Sequence, residues 1–157
     1  MTGEQDERFM REALKQAHRA ALAGEIPVGA VLTDGTGTVL AAAYNRREET
    51  NDPLSHAEAE VLRLAAKERK KRFFDDCTLY VTLEPCPMCA GAVIAARIGR
   101  VVYGAKDPRA GAFGSLLNLA DYPLEAKPEI CGGVLAEECL APLRAFFTIK
   151  RNRSKSK

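Results

Sequence analysis

Leu83-Glu84-Pro85-Cys86-Pro87-Met88-Cys89-Ala90-Gly91 decides how the rest of the chain is read, together with an earlier stretch, Ser55-His56-Ala57-Glu58. The first carries two cysteines three residues apart behind a proline, and the second sets a glutamate two residues after a histidine. Two sulfurs and an imidazole are a donor set for zinc, and three protein ligands leave one tetrahedral position for water. The run 77–83 ahead of the cysteines reads as a strand. Pro87 suits the first position of a helix, with Cys86 as its cap. That helix runs to about Ala96 and stops at Gly99, and 100–105 read as the next strand. Strand, helix and strand in this order imply a right-handed parallel crossover.

Working upstream, Ser55 opens a helix with Val61, Leu64 and Ala65 at helical spacing, ended by the basic run 67–72, whose cations suit the negative end of the helix dipole. Residues 26–33 and 38–44 are apolar around the turn Asp34-Gly35-Thr36-Gly37 and read as a hairpin. Residues 45–53 read as a polar loop, and 4–23 as an amphipathic helix that Gly24 caps in a left-handed conformation. Downstream, 106–121 is Gly- and Ala-rich and reads as a functional loop with one helical turn, and 129–134 as a short fifth strand. Residues 135–150 have a helical pattern, but Pro142 would cost roughly 3 kcal/mol inside a helix, so a break is expected near Leu140. The whole, 1–157, reads as a single α/β domain with helices on a mixed sheet of about five strands, and 151–157 as a flexible basic tail.

With 46% hydrophobic and 28% charged residues, the 157-residue chain has an ordinary globular composition, neither disordered nor membrane-spanning. No apolar run approaches the roughly 20 residues a membrane helix needs. The N-terminus is acidic and polar where a signal peptide would be basic and then apolar, so a cytoplasmic location is expected. Five cysteines in that setting are thiols or ligands rather than bridges. No acidic residue follows Glu138, whereas Arg144, Lys150, Arg151, Arg153, Lys155 and Lys157 do, which makes the C-terminus either a phosphate contact or a solvated end.

The two motifs gain meaning from where they sit. Each falls at a predicted helix start, and the strands before them would bring both starts to one edge of the sheet, where open α/β folds bind ligands. Backbone N–H groups at a helix start favour thiolate over thiol. Zinc held by His56, Cys86 and Cys89 can lower the pKa of its water to about 7, so that a zinc-bound hydroxide forms at neutral pH. Glu58 would stay unligated and shuttle protons. Other readings remain open on these residues. Ser55-His56-Ala57-Glu58 also spells a capping box, Cys86 and Cys89 also resemble a redox pair, and the metal could serve a binding module without catalysis. Cys77, Cys131 and Cys139 lack ligand spacing and read as packed thiols.

The combined signature, H-x-E followed by P-C-x-x-C, is that of the zinc-dependent nucleobase deaminases. Beyond it, Tyr80-Val81-Thr82-Leu83-Glu84-Pro85-Cys86, Arg97-Ile98-Gly99-Arg100-Val101-Val102-Tyr103-Gly104-Ala105-Lys106-Asp107 and Gly111-Ala112-Phe113-Gly114-Ser115 resemble the bacterial tRNA-specific adenosine deaminases over nearly the whole chain. That resemblance implies a three-layer α/β/α cytidine-deaminase-like fold and one zinc ion per subunit. It implies hydrolytic conversion of the wobble adenosine of a tRNA anticodon loop to inosine, on a homodimer. It also implies that Asn45 bonds the base and sugar, that Val28, Ala57, Leu83 and Pro85 line the base pocket, and that Asp107 lies near the anticodon backbone. Phe147, Lys150 and Arg151 would be further RNA contacts. The chain departs from the family at Tyr44 and Pro87, which should not disturb the ligands, at Pro108-Arg109-Ala110, which bears on the loop contacts, and at Pro142 and Thr148, which bear on the last helix. A guanine or other free-nucleobase deaminase would use the same zinc site without an RNA surface.

Overall fold

The computed structural model describes residues 3–155. Five strands form one sheet in the order β2-β1-β3-β4-β5. β1 (Gly29–Thr33) pairs antiparallel with both β2 (Val39–Tyr44) and β3 (Thr78–Leu83), while β3, β4 (Arg100–Ala105) and β5 (Glu129–Gly132) run parallel. It follows that β2, β3, β4 and β5 point the same way and β1 runs against them. The C-terminal ends of β2, β3 and β4 therefore share one edge with the N-terminal end of β1.

Alternation along the strands sorts the core into two faces. Leu32, Leu79, Val81 and Val101 pack with Ala57 and Val61 of α3 (Ala57–Arg69) and Ala90 and Val93 of α4 (Pro87–Ala95). Val31, Tyr80 and Val102 face the other way, onto Phe9, Met10, Ala13 and Leu14 of α1 (Gly3–Leu22) and Cys139 of α5 (Ala136–Lys155). This is the three-layer α/β/α arrangement that the sequence led us to expect. α1 passes so close to β1 that a Cβ on Gly29 would lie 2.1 Å from the Ala13 carbonyl oxygen, so only glycine fits there. Asp6 pins α1 to the far edge of the sheet, accepting from Arg100 at 2.7 and 2.8 Å and from the Tyr80 hydroxyl at 3.0 Å. Among the described residues no helix is long and apolar enough to cross a membrane.

Four details differ from the sequence reading. The loop expected over 45–53 contains a short helix, α2 (Arg47–Thr50). Its free N–H groups are taken up from elsewhere: the Glu25 carboxylate accepts from Glu48 and Glu49, and Asn45 Oδ1 accepts from Arg47. Residues 26–28 stop short of the strand and reach the sheet edge instead. α5 runs unbroken through Pro142, without the expected break near Leu140. Cys139 and Leu143 are buried on either side of that proline. Burying one leucine contributes roughly 1.5–3 kcal/mol, enough to offset most of the proline's cost of roughly 3 kcal/mol. Residues 151–155 continue α5 rather than forming a flexible tail, and Ser156 and Lys157 lie outside the described residues.

Candidate active site

His56 and Cys86 are the N-caps of α3 and α4, each with extended backbone, and neither side chain caps its own helix. Both side chains are therefore free to turn toward one another across the sheet edge. His56 Nδ1 lies 3.4 Å from Cys89 Sγ and 3.6 Å from Cys86 Sγ, and the three donor atoms lie within 4.8 Å of one another. Tetrahedral zinc with Zn–N of about 2.0–2.1 Å and Zn–S of about 2.3 Å sets nitrogen and sulfur about 3.5 Å apart. The separations fit that ion, and Nδ1 is the nitrogen that faces it.

The electrostatics agree with a ligand set. Hydrogen bonds from Cys89 and His56 hold the Cys86 thiol down at about 4, against a raised Cys89, whose bond to Cys86 and burial favour the thiol. His56 is raised by its bond to Cys86. One sulfur is thus already a thiolate, and a bound cation would draw off the second proton. By contrast, burial pushes Cys77 and Cys139 up to about 12, as befits packed thiols, and all five cysteines are free.

Glu58 sits in the first turn of α3, 4% exposed and outside the ligand cluster. Burial raises it above the usual carboxylate range, which suits a group that must both take and give a proton. The capping-box alternative fails here. Ser55 N–H donates to Asp52 O and Ser55 Oγ accepts from Thr50, so Ser55 and Glu58 do not form the reciprocal pair, and the Glu58 carboxylate accepts from its own backbone N–H instead.

These groups open into a small cleft of about 150 Å³. Asn45, Val28, Ala57, Leu83 and Asp107 line it beside His56, Glu58 and Cys86, so the loops after β2, β3 and β4 and the entry to β1 converge there. Asn45 is buried, its Nδ2 donating to Ile26 O at 3.3 Å. Pro85 does not line the cleft: its carbonyl accepts from Ala112 N–H at 2.8 Å and so tethers the loop after β4. Phe147, Lys150 and Arg151 lie apart from the cleft, in a shallow groove on α5 with Ser154 and Lys155. Sequence reasoning did not single out Ile26, Arg47, Glu84 and Ala110, which also line the cleft. A signal was available for Glu84, a carboxylate directly after the almost wholly buried strand β3.

With this geometry established, comparison with known proteins is informative. The family model of the cytidine and deoxycytidylate deaminase zinc-binding region matches residues 3–105. The chain is 45% identical to the tRNA-specific adenosine deaminase of Bacillus subtilis over 153 residues, 97% of this chain and 94% of that protein. Among solved structures, a chain from biochemical and structural studies of A-to-I editing by tRNA:A34 deaminases at the wobble position of transfer RNA aligns with a TM-score of 0.84. The two are 40% identical, covering 87% of this chain and 99% of that one. The guanine deaminase of Bacillus subtilis is also 40% identical, but over 64% of each chain and with a TM-score of 0.60. The zinc-binding region spans His56, Cys86 and Cys89, the group whose donor atoms could hold a metal ion, and zinc is the cofactor of that region. The chain belongs to the cytidine and deoxycytidylate deaminase zinc-binding family and, within it, to the group of the tRNA-specific adenosine deaminases.

Proposed function

We propose that this protein hydrolyses the wobble adenosine of a tRNA anticodon loop to inosine and ammonia, with His56, Cys86 and Cys89 as metal ligands and Glu58 as proton shuttle. The observation that carries the reading is the pairing of the three-ligand cluster with a buried, unligated Glu58 in one cleft. The B. subtilis relative named for this activity supports the choice of substrate. His56, Cys86 and Cys89 would hold the zinc, which when bound would supply an acidified water as the nucleophile.

The chain's own groups do the rest. Glu58 takes one proton from the attacking water and hands it to the ring nitrogen. It then takes the second from the hydroxyl added to the ring carbon and hands it to the departing amine, so that the carbonyl of inosine forms as the bond to ammonia breaks. Its buried carboxyl accommodates both states because burial raises its proton affinity. Val28 and Leu83 give apolar walls for a purine, and Asn45, held by Ile26 O and Arg47 N–H, presents a fixed amide to base and sugar. An adenosine in a loop is already unpaired, so it enters the pocket without the cost of opening a duplex. Asp107, at the cleft rim, is placed to meet the loop backbone, and Phe147, Lys150 and Arg151 offer an aromatic and two cations to RNA further away.

A homodimer is part of the same proposal. On α4, Pro87, Met88, Gly91 and Ala95 are exposed and uncharged, a face suited to a second copy. A tRNA substrate and five free thiols fit a cytoplasmic enzyme. The test is to incubate the protein with an anticodon stem-loop carrying a wobble adenosine and to identify the nucleosides by mass spectrometry. Inosine is expected at that position. Unchanged stem-loop together with turnover of free guanine would favour the free-base reading instead.

A further inference from the structure

One buried carboxylate takes no part in the chemistry described. Glu84 is 2% exposed, follows β3 directly and lies two residues before Cys86. Its Oε1 accepts from Asp107 N–H at 3.1 Å and from the Ser115 hydroxyl in a shorter bond, and its Oε2 accepts from Phe113 N–H and Ser115 N–H, each at 3.1 Å. A single side chain thus satisfies three backbone donors and a hydroxyl from a segment 23–31 residues downstream. Gly111 packs against it so closely that a Cβ there would lie 2.3 Å from Glu84 Oε2. Asp107 and Ala110 of this segment form a wall of the cleft.

Resting on the function proposed above, we propose that Glu84 is a positioning residue that determines substrate acceptance. By gathering the 107–115 loop onto the end of β3, it fixes the wall against which the nucleotides flanking the target base must lie. It touches no reacting atom. Phe113 in the core and the Ala112 N–H on the Pro85 carbonyl anchor the middle of this segment, but it is Glu84 that takes up the N–H groups of Asp107, Phe113 and Ser115 and the Ser115 hydroxyl. Glu84→Gln keeps the size but substitutes an NH₂ for one acceptor oxygen, setting donor against donor. Binding of the extended RNA loop therefore suffers more than the chemical step.

The test uses zinc-loaded wild type, Glu84→Gln and Ser115→Ala. Hydrogen exchange should speed up at the amides of Asp107, Phe113 and Ser115 in Glu84→Gln and stay as in wild type in α3 and α4. KM for an anticodon stem-loop should rise roughly ten-fold, the worth of one charge-assisted hydrogen bond, with a smaller fall in kcat and zinc content retained. Ser115→Ala removes one donor and leaves the carboxylate, so it should move the same readings less and in the same direction. Unchanged exchange in the 107–115 loop, a fall in kcat at constant KM, or loss of zinc would each overturn the proposal. Wild type that leaves the stem-loop unedited would overturn the proposed function instead, and the exchange data then judge the role of Glu84 by themselves.

Discussion

Replacing Asp6 with asparagine removes the negative charge and one acceptor oxygen of an ion pair that is largely shielded from water. Asp6 is 5% exposed, its carboxylate takes both Arg100 nitrogens within 2.8 Å, and Tyr80 adds a third bond. Removing one partner of a buried pair costs about 3–5 kcal/mol, because the guanidinium loses its close counter-charge and keeps only the exposed Glu129 carboxylate at 4.0 Å. The Arg100 side chain keeps 18% exposure, so water can partly solvate it and the lower figure, about 3 kcal/mol, applies. That is a large share of the roughly 5–15 kcal/mol that holds a domain together. At this chain length it should lower the thermal midpoint by about 6–12 °C. The bond to Arg100 holds the Asp6 carboxyl below its ordinary value. A lowered carboxylate contributes stability above its unfolded pKa of about 3.9 and loses it as pH falls through the folded value. The gap between wild type and variant should therefore be full at neutral pH and close in acid. Urea unfolding at several pH values measures both. Arg100 lies at the start of β4, away from the cleft edge, so deamination well below both midpoints should not change. A loss under about 1 kcal/mol, as for a surface pair, or a gap that widens in acid would refute the reasoning.

Other outcomes follow from the site. Glu58→Ala should keep its zinc, since the carboxylate is outside the ligand set, and lose roughly 10²–10⁴-fold in kcat, the usual share of a general acid–base; single-turnover inosine formation and metal analysis check both. Cys86→Ser should lose zinc and with it thermal stability, because metal binding is coupled to folding, and added zinc should restore little of the midpoint in calorimetry. Lys150→Ala with Arg151→Ala should weaken stem-loop binding and flatten its salt dependence while leaving zinc content unchanged, as fluorescence anisotropy at two salt concentrations would report.

Much of this was legible in the sequence because it rests on local signals. The hairpin, the strand–helix–strand unit and the two helix starts each announce themselves through apolar period, a turn or Pro87. Two ligand half-motifs at helix starts were enough to bring His56, Cys86 and Cys89 together. What remained hidden depends on long-range partners. α2 exists because Glu25, more than twenty residues away, accepts its N–H groups. The wall of the cleft depends on Glu84 in the same way. Pro142 misled because propensity is local, whereas the burial of Cys139 and Leu143 that carries α5 past it is tertiary.

Zinc-edge X-ray absorption on the wild type and on Glu58→Ala tests the central claim most directly. The account predicts two sulfurs at about 2.3 Å, one imidazole nitrogen at about 2.0 Å and one further light atom, unchanged in the variant. A different sulfur count, or loss of the light atom when Glu58 is removed, would contradict it by making Glu58 a ligand rather than the proton carrier.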